Sequence, residues 1–169
     1  VAATVKHFPG LGRIRNNTDS SSTGITDSTT TATDPYLAPF TSGIDTGADF
    51  VMVGSAIYAK IDPGVNAVFS RKIVTGILRQ KLAYAGVVVS DDVGSAKAVT
   101  GIPVGQRATL FVAAGGDVVL TADPALAPTM AAALLARASR DPAFATLVTV
   151  AATRVVTLKA ARGLAPMCP

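Results

Sequence analysis

Four short strand-like runs, each separated from the next by a helix-like stretch, set the strongest limit on how this chain folds. Ala2 to His7 is rich in β-formers, while Phe50 to Ala56, Val87 to Ser90 and Asp117 to Thr121 are apolar on consecutive positions. A strand buried on one face alternates apolar and polar residues; consecutive apolar positions indicate a parallel sheet with helices packed over it. Helix signals fill the gaps. Asp34-Pro35 opens one, with Leu37, Phe40 and Ile44 on one face before Gly47. Ser70 caps a second, whose Ile73, Val74, Ile77, Leu78 and Leu82 recur at helical spacing before Gly86. Gln106 to Ala114 reads as a third, ending at Gly115-Gly116, and Asp123-Pro124 and Asp141-Pro142 each begin another. The polar stretch from Pro9 to Thr33 has no such periodicity, and a loop this long inside a domain is usually functional.

Four β/α units fit either a small doubly wound sheet or half of a (β/α)8 barrel, and periodicity alone does not choose between them. Polar and ionisable residues gather at strand C-terminal ends: Lys6 and His7, Ser55 and Tyr58, Asp91 and Asp92, Asp123. That is where barrels build their sites. Gly10-Leu11-Gly12 follows a strand, but no helix starts there and no third glycine is suitably spaced, so a nucleotide fingerprint is absent.

With 169 residues, 49% of them hydrophobic, the chain has material for one packed domain. Its net charge of +4 comes from arginines and lysines spread over several segments with few aromatics between them, which argues against a nucleic-acid surface. No run reaches the roughly 18 to 20 apolar residues of a membrane span. The single cysteine, Cys168, has no partner for an internal disulfide. One histidine leaves no room for a His-rich metal cluster, and no metal or organic cofactor is implied. The chain opens at Val1 without Met, already in a strand-like run, as expected of a piece of a longer protein.

Val5-Lys6-His7-Phe8-Pro9-Gly10-Leu11-Gly12, Ser90-Asp91-Asp92, Ala113 to Leu120 and Ala152 to Lys159 follow one another in an order and at separations that resemble glycoside hydrolase family 3. The similarity is to the second half of that family's catalytic barrel, in the branch of bacterial β-N-acetylhexosaminidases that trim cell-wall sugars. The resemblance implies one partial domain over residues 1 to 169, holding strands five to eight of a TIM-type barrel and their helices. The first four strands would lie elsewhere. Because strands at Ala2 to His7 and Val118 to Thr121 would then be open edges, a separate N-terminal half-barrel or a second copy is the expected partner.

The resemblance further implies a hydrolase acting on β-linked sugars with retention, most readily β-N-acetylglucosaminides of the cell wall, with a carbohydrate as substrate. Lys6 and His7 would hold sugar hydroxyls, with Ser55 a further candidate lining residue. Asp91 would be the nucleophile that forms a covalent glycosyl-enzyme. Asp92 reads as structural, since adjacent strand residues point to opposite faces. Packing beneath the loop is the plain alternative for His7, and a helix cap or salt bridge for Asp91.

The proton donor departs from the family pattern. The hexosaminidase branch carries an Asp-Ser-His group on the loop after the Lys-His strand, its histidine acting as acid and base. Here the loop reads Asn17-Thr18-Asp19-Ser20-Ser21-Ser22, and no histidine follows His7. Asp19 or Asp27 could serve if the closed site raised its pKa, a residue from the absent half could donate instead, or the protein could bind sugar with little turnover. A non-catalytic carbohydrate-binding or assembly half-barrel is therefore the competing reading. Asp62-Pro63-Gly64 reads as a turn and Met130 to Ala138 as outer-ring packing. The basic charge leans toward an anionic cell envelope or a secreted location.

Overall fold

The computed structural model describes residues 1–164; Cys168 lies outside them. Strands β1 (Thr4–Phe8), β3 (Phe50–Val53), β5 (Val87–Asp92) and β6 (Val118–Leu120) form one sheet in the order β1-β3-β5-β6, every pairing parallel. A second, two-stranded parallel sheet pairs β2 (Thr26–Asp27) with β4 (Ile57–Tyr58). Helix α1 (Ala38–Asp45) follows a 3₁₀ turn at Pro35–Leu37, and α2 (Lys72–Lys81), α3 (Val104–Ala114), α4 (Ala127–Ala138) and α5 (Pro142–Ala161) complete the layer.

The caps read from sequence form as expected. The Asp34, Asp123 and Asp141 carboxylates accept N–H groups of Tyr36, Ala125 and Phe144, and Ser70 Oγ accepts the Ile73 N–H at 3.2 Å. Helix α2 winds with i→i+5 bonds where ordinary α-helical spacing was expected; the same step closes its end, Leu82 N–H donating to Ile77 at 2.9 Å. Because 3.6- and wider-period windings place Ile73, Val74, Ile77 and Leu78 on nearly one side, the apolar pattern fits both, and all four are buried.

The core lies between the sheet and the helices, with Phe8, Val51, Val53, Val68, Ile73, Leu78, Val88 and Phe111 fully buried and Phe8 meeting Phe40 edge-on at 5.2 Å. On β3 the opposite face holds Phe50 and Met52, only half-buried. The expected covering of both faces is thus present in full on the helix side alone. β1 and β6 carry no outer neighbour among the described residues.

Helix α5 runs under the N-terminal ends of the strands. Arg162 pairs with Asp49, just before β3, at 2.5 Å, and Arg154 pairs with Asp117, just before β6, at 2.9 Å. Asp117, its side chain 1% exposed, also meets Arg79 of α2 and accepts the Val88 N–H at 2.8 Å. By length and composition α5 is apolar enough to cross a bilayer, which a search for one uninterrupted apolar run overlooks. Its Arg154 nevertheless engages a buried carboxylate of the domain.

Candidate active site

Two irregularities in the sheet build the site. Val5 pairs with Val51 and Phe8 with Val53, so β1 fits three steps against two of β3. Val5 packs against the core and Phe8 lies in it. Strict alternation allows one residue between two positions on the same face, and β1 has two, Lys6 and His7. The bulge keeps both from burial under the helices: His7 lines a cavity at the strand ends, whereas Lys6 is exposed and not part of the cavity wall. A second bulge falls on β5, where Val89 pairs with Val118 but Asp92 with Leu120. There the Ser90 hydroxyl accepts the Leu120 N–H at 2.8 Å, and Asp91 turns into the same cavity.

The cavity, about 330 Å³, is lined by His7, Leu11, Ile14, Asp91 and the loop residues Arg15 to Asp19. Its loop is folded tightly on itself. Arg15 and Asn16 N–H groups donate to Gly24 at 3.0 and 3.1 Å, and Asn16 Nδ2 donates to the Thr23 carbonyl at 2.9 Å. At its base Arg13 joins Asp34 at 2.8 Å and stacks over the Tyr36 ring, while Tyr58 OH donates to the Gly10 carbonyl at 2.6 Å. The tip is fastened to the segment after β5: Lys97 and Ala98 N–H groups donate to the carbonyls of Asp19 and Thr18 at 2.9 and 3.0 Å. Those two bonds bring the Asp19 carboxylate to the Asp91 strand end.

Asp91 is half-buried, and its pKa is raised. Burial is the main cause. The Asp92 N–H, bonded to Asp91 Oδ1 at 3.0 Å, and the His7 charge pull the other way, while the charges of Asp19 and Asp92 add to the rise. Asp92 Oδ1 accepts the N–H groups of Gly94, Ser95 and Ala122, the structural duty expected of it.

Three other residues singled out by sequence lie elsewhere. Asp27 is buried, its Oδ1 accepting both N–H groups and one hydroxyl from Thr29 and Thr30 and its Oδ2 the Thr30 hydroxyl at 2.5 Å. Burial alone would raise its pKa, but those bonds outweigh burial and lower it, so Asp27 is a turn-forming carboxylate rather than a proton donor. Ser55 is fully buried and outside the cavity wall, and its Oγ finds no partner. Tyr58, also fully buried, tethers the loop rather than lining the pocket. Conversely, Arg15 and Asn17 line the cavity although sequence reading passed over them; their nearness to Asp19 on one compact loop was the available signal. Asn17 Oδ1 accepts the Asp19 N–H at 2.7 Å, setting the turn that presents the carboxylate.

Comparison with known proteins places the fold. A β-hexosaminidase of Xanthomonas oryzae pv. oryzae is 38% identical over 128 residues, covering 75% of this chain and 37% of the relative. The crystal structure of a β-N-acetylhexosaminidase from Beutenbergia cavernae superposes with a TM-score of 0.90 at 48% identity, covering 93% of this chain and 46% of that one. A glycoside hydrolase family 3 β-N-acetylglucosaminidase from Paenibacillus sp. gives 0.84 at 28% identity, covering 100% of this chain and 33% of that one. The chain thus spans less than half the length of each of these relatives. The family model for the glycosyl hydrolase family 3 N-terminal domain matches residues 1–158, and with its parallel β/α sheet this chain belongs to that family.

Proposed function

We propose that the protein carrying this chain is a retaining β-N-acetylhexosaminidase acting on cell-wall-type sugars, with Asp91 as nucleophile. The observation that carries the reading is Asp91 itself: half-buried at a bulged strand end, facing one cavity with His7 and with a second carboxylate on a fastened loop. Asp91 attacks the anomeric carbon; the glycosidic C–O bond breaks, and its electron pair leaves on the aglycone oxygen, which takes a proton from Asp19. Water then attacks the glycosyl-enzyme as Asp19 accepts its proton, releasing Asp91. His7 and the adjacent Lys6 hold sugar hydroxyls; Ser55, buried as it is, serves the packing beneath.

In this reading residues 1 to 169 are the second half of a barrel, strands five to eight. The open edges β1 and β6 are closed by an N-terminal half-barrel or by a second copy. The similarity of this chain to less than half of each relative supports that division.

The test is release of aglycone from a chromogenic β-N-acetylglucosaminide and a β-glucoside by the full-length protein and by Asp91→Ala. Turnover that vanishes in the variant, together with a sugar adduct on Asp91 by mass spectrometry, is the expected result. A folded, complete protein that turns over neither substrate would favour the non-catalytic reading, whose support is Ser20-Ser21 following Asp19 where the family places Ser-His.

A further inference from the structure

Arg107 of α3 is 5% exposed and makes no ion pair among the described residues. Its guanidinium donates to backbone carbonyls instead: Nε to Ile102 at 2.6 Å, Nη1 to Val93 at 3.0 Å and to Gly94 at 2.6 Å, and Nη2 to Thr100 at 3.4 Å. All four carbonyls belong to segment 93–102, which leaves β5, so one planar fork draws that segment into a closed loop. Gly94 is held from both sides, its N–H donating to Asp92 Oδ1 at 2.8 Å.

Segment 93–102 joins the two carboxylates of the cavity. It continues directly from Asp91 and Asp92, and at its middle the Lys97 and Ala98 N–H groups donate to the Asp19 and Thr18 carbonyls at 2.9 and 3.0 Å. Those N–H groups open the 3₁₀ turn Lys97–Val99, whose first donors have no partner within the turn. Where they stand relative to Asp91 depends on the ends of the segment, and Arg107 ties the two ends together, Val93 and Gly94 at one and Thr100 and Ile102 at the other. We infer that Arg107 is a positioning residue: by fixing segment 93–102 it sets the spacing of the loop carboxylate Asp19 from Asp91. This inference rests on the glycosidase reading above.

The test uses the full-length protein and reads kcat/KM on a methyl and on a 2,4-dinitrophenyl β-N-acetylglucosaminide. Only the methyl glycoside needs a well-placed acid, so the ratio of the activated to the methyl substrate reports where Asp19 stands, whereas a protein that is merely less stable loses both in proportion. Arg107→Lys keeps the charge but lacks the fork, and the ratio rises about tenfold. Lys97→Pro breaks the same link without touching the core: Lys97 is exposed, Ala96 before it is extended at ψ 126°, and proline fits the first position of the turn but cannot donate to Asp19. Measured against Lys97→Ala, which keeps the N–H, Lys97→Pro raises the ratio by a similar factor. A ratio unmoved in either Arg107→Lys or Lys97→Pro, while Asp19→Asn moves it, overturns the positioning role and leaves the glycosidase reading standing. If Asp19→Asn leaves it unmoved, the acid is another group and the inference falls while Asp91 keeps its role. If the wild type cleaves neither glycoside, the glycosidase reading falls and the inference with it.

Discussion

His7 and Asp91 leave the sheet from two strands that do not pair with each other, and they meet at one cavity. β3 lies between their strands, and Gly54 follows it directly. A Cβ there would come within 3.2 Å of His7 Cβ and 3.3 Å of Leu11 Cδ2. The missing side chain lets His7 and Leu11 pack closely over this backbone.

Gly54→Ala should therefore push His7 outward by a few tenths of an ångström. The expected outcome is a rise in KM of about tenfold with a smaller change in kcat, since the proposed mechanism has His7 grip the sugar and Asp91 is not moved. Steady-state kinetics on a chromogenic β-N-acetylglucosaminide decide it; an unchanged KM would show that the loop accommodates the methyl group.

Asp91→Asn removes a carboxylate whose ionisation the fold opposes, chiefly through burial. A carboxyl with a raised folded-state pKa favours folding in its neutral form; that contribution is complete below the unfolded-state pKa and is lost as pH rises through the folded value. The variant should thus melt above the wild type at pH 7, and the gap should close below about pH 4, where both carry a neutral group. Thermal melts at the two pH values check it, and a gap independent of pH would trace the gain to packing. If Asp91 is the nucleophile proposed above, the acid limb of kcat/KM in the wild type should likewise sit above the ordinary carboxylate range, because a nucleophilic carboxylate must be ionised.

Asp19→Asn tests the proton donor. A general acid matters most when the leaving group is poor, so kcat should fall about 10²-fold on an alkyl β-N-acetylglucosaminide and far less on a 2,4-dinitrophenyl one in the glycosylation step. Azide, which needs no base to attack, should restore turnover of the activated substrate. Equal losses on both substrates, with no effect of azide, would remove Asp19 from that role.

Asp117→Ala addresses the base of the fold, far from the cavity. One buried carboxylate holds Arg79 of α2, Arg154 of α5 and the Val88 N–H. Its removal leaves Arg79, its side chain 10% exposed, without its counter-charge and should destabilise the domain by about 3–5 kcal/mol. A urea midpoint within error of the wild type would show that α5 is held by apolar contact alone.

The sequence by itself determined the parallel β/α order, the helix starts at Asp34, Asp123 and Asp141, and the candidate strand-end residues, because apolar runs, caps and glycine stops act over a few residues. It also carried the family likeness, through motifs such as Lys6 to Gly12 and Ser90 to Asp92. Tertiary structure alone decided which of those residues share a cavity. Only the register of β1 against β3, fixed by burial of Val5 and Phe8, spares both Lys6 and His7 from burial, and of the two His7 lines the cavity. Asp19 and Asp27 looked equivalent on one polar loop, until hydrogen bonds from Lys97 and Ala98 brought the first to Asp91 and those from Thr29 and Thr30 locked the second into a turn. Ser55 sat at a strand end like the others, yet folding buried it completely. Each outcome depends on contacts between segments distant in sequence, and a local pattern holds no record of those.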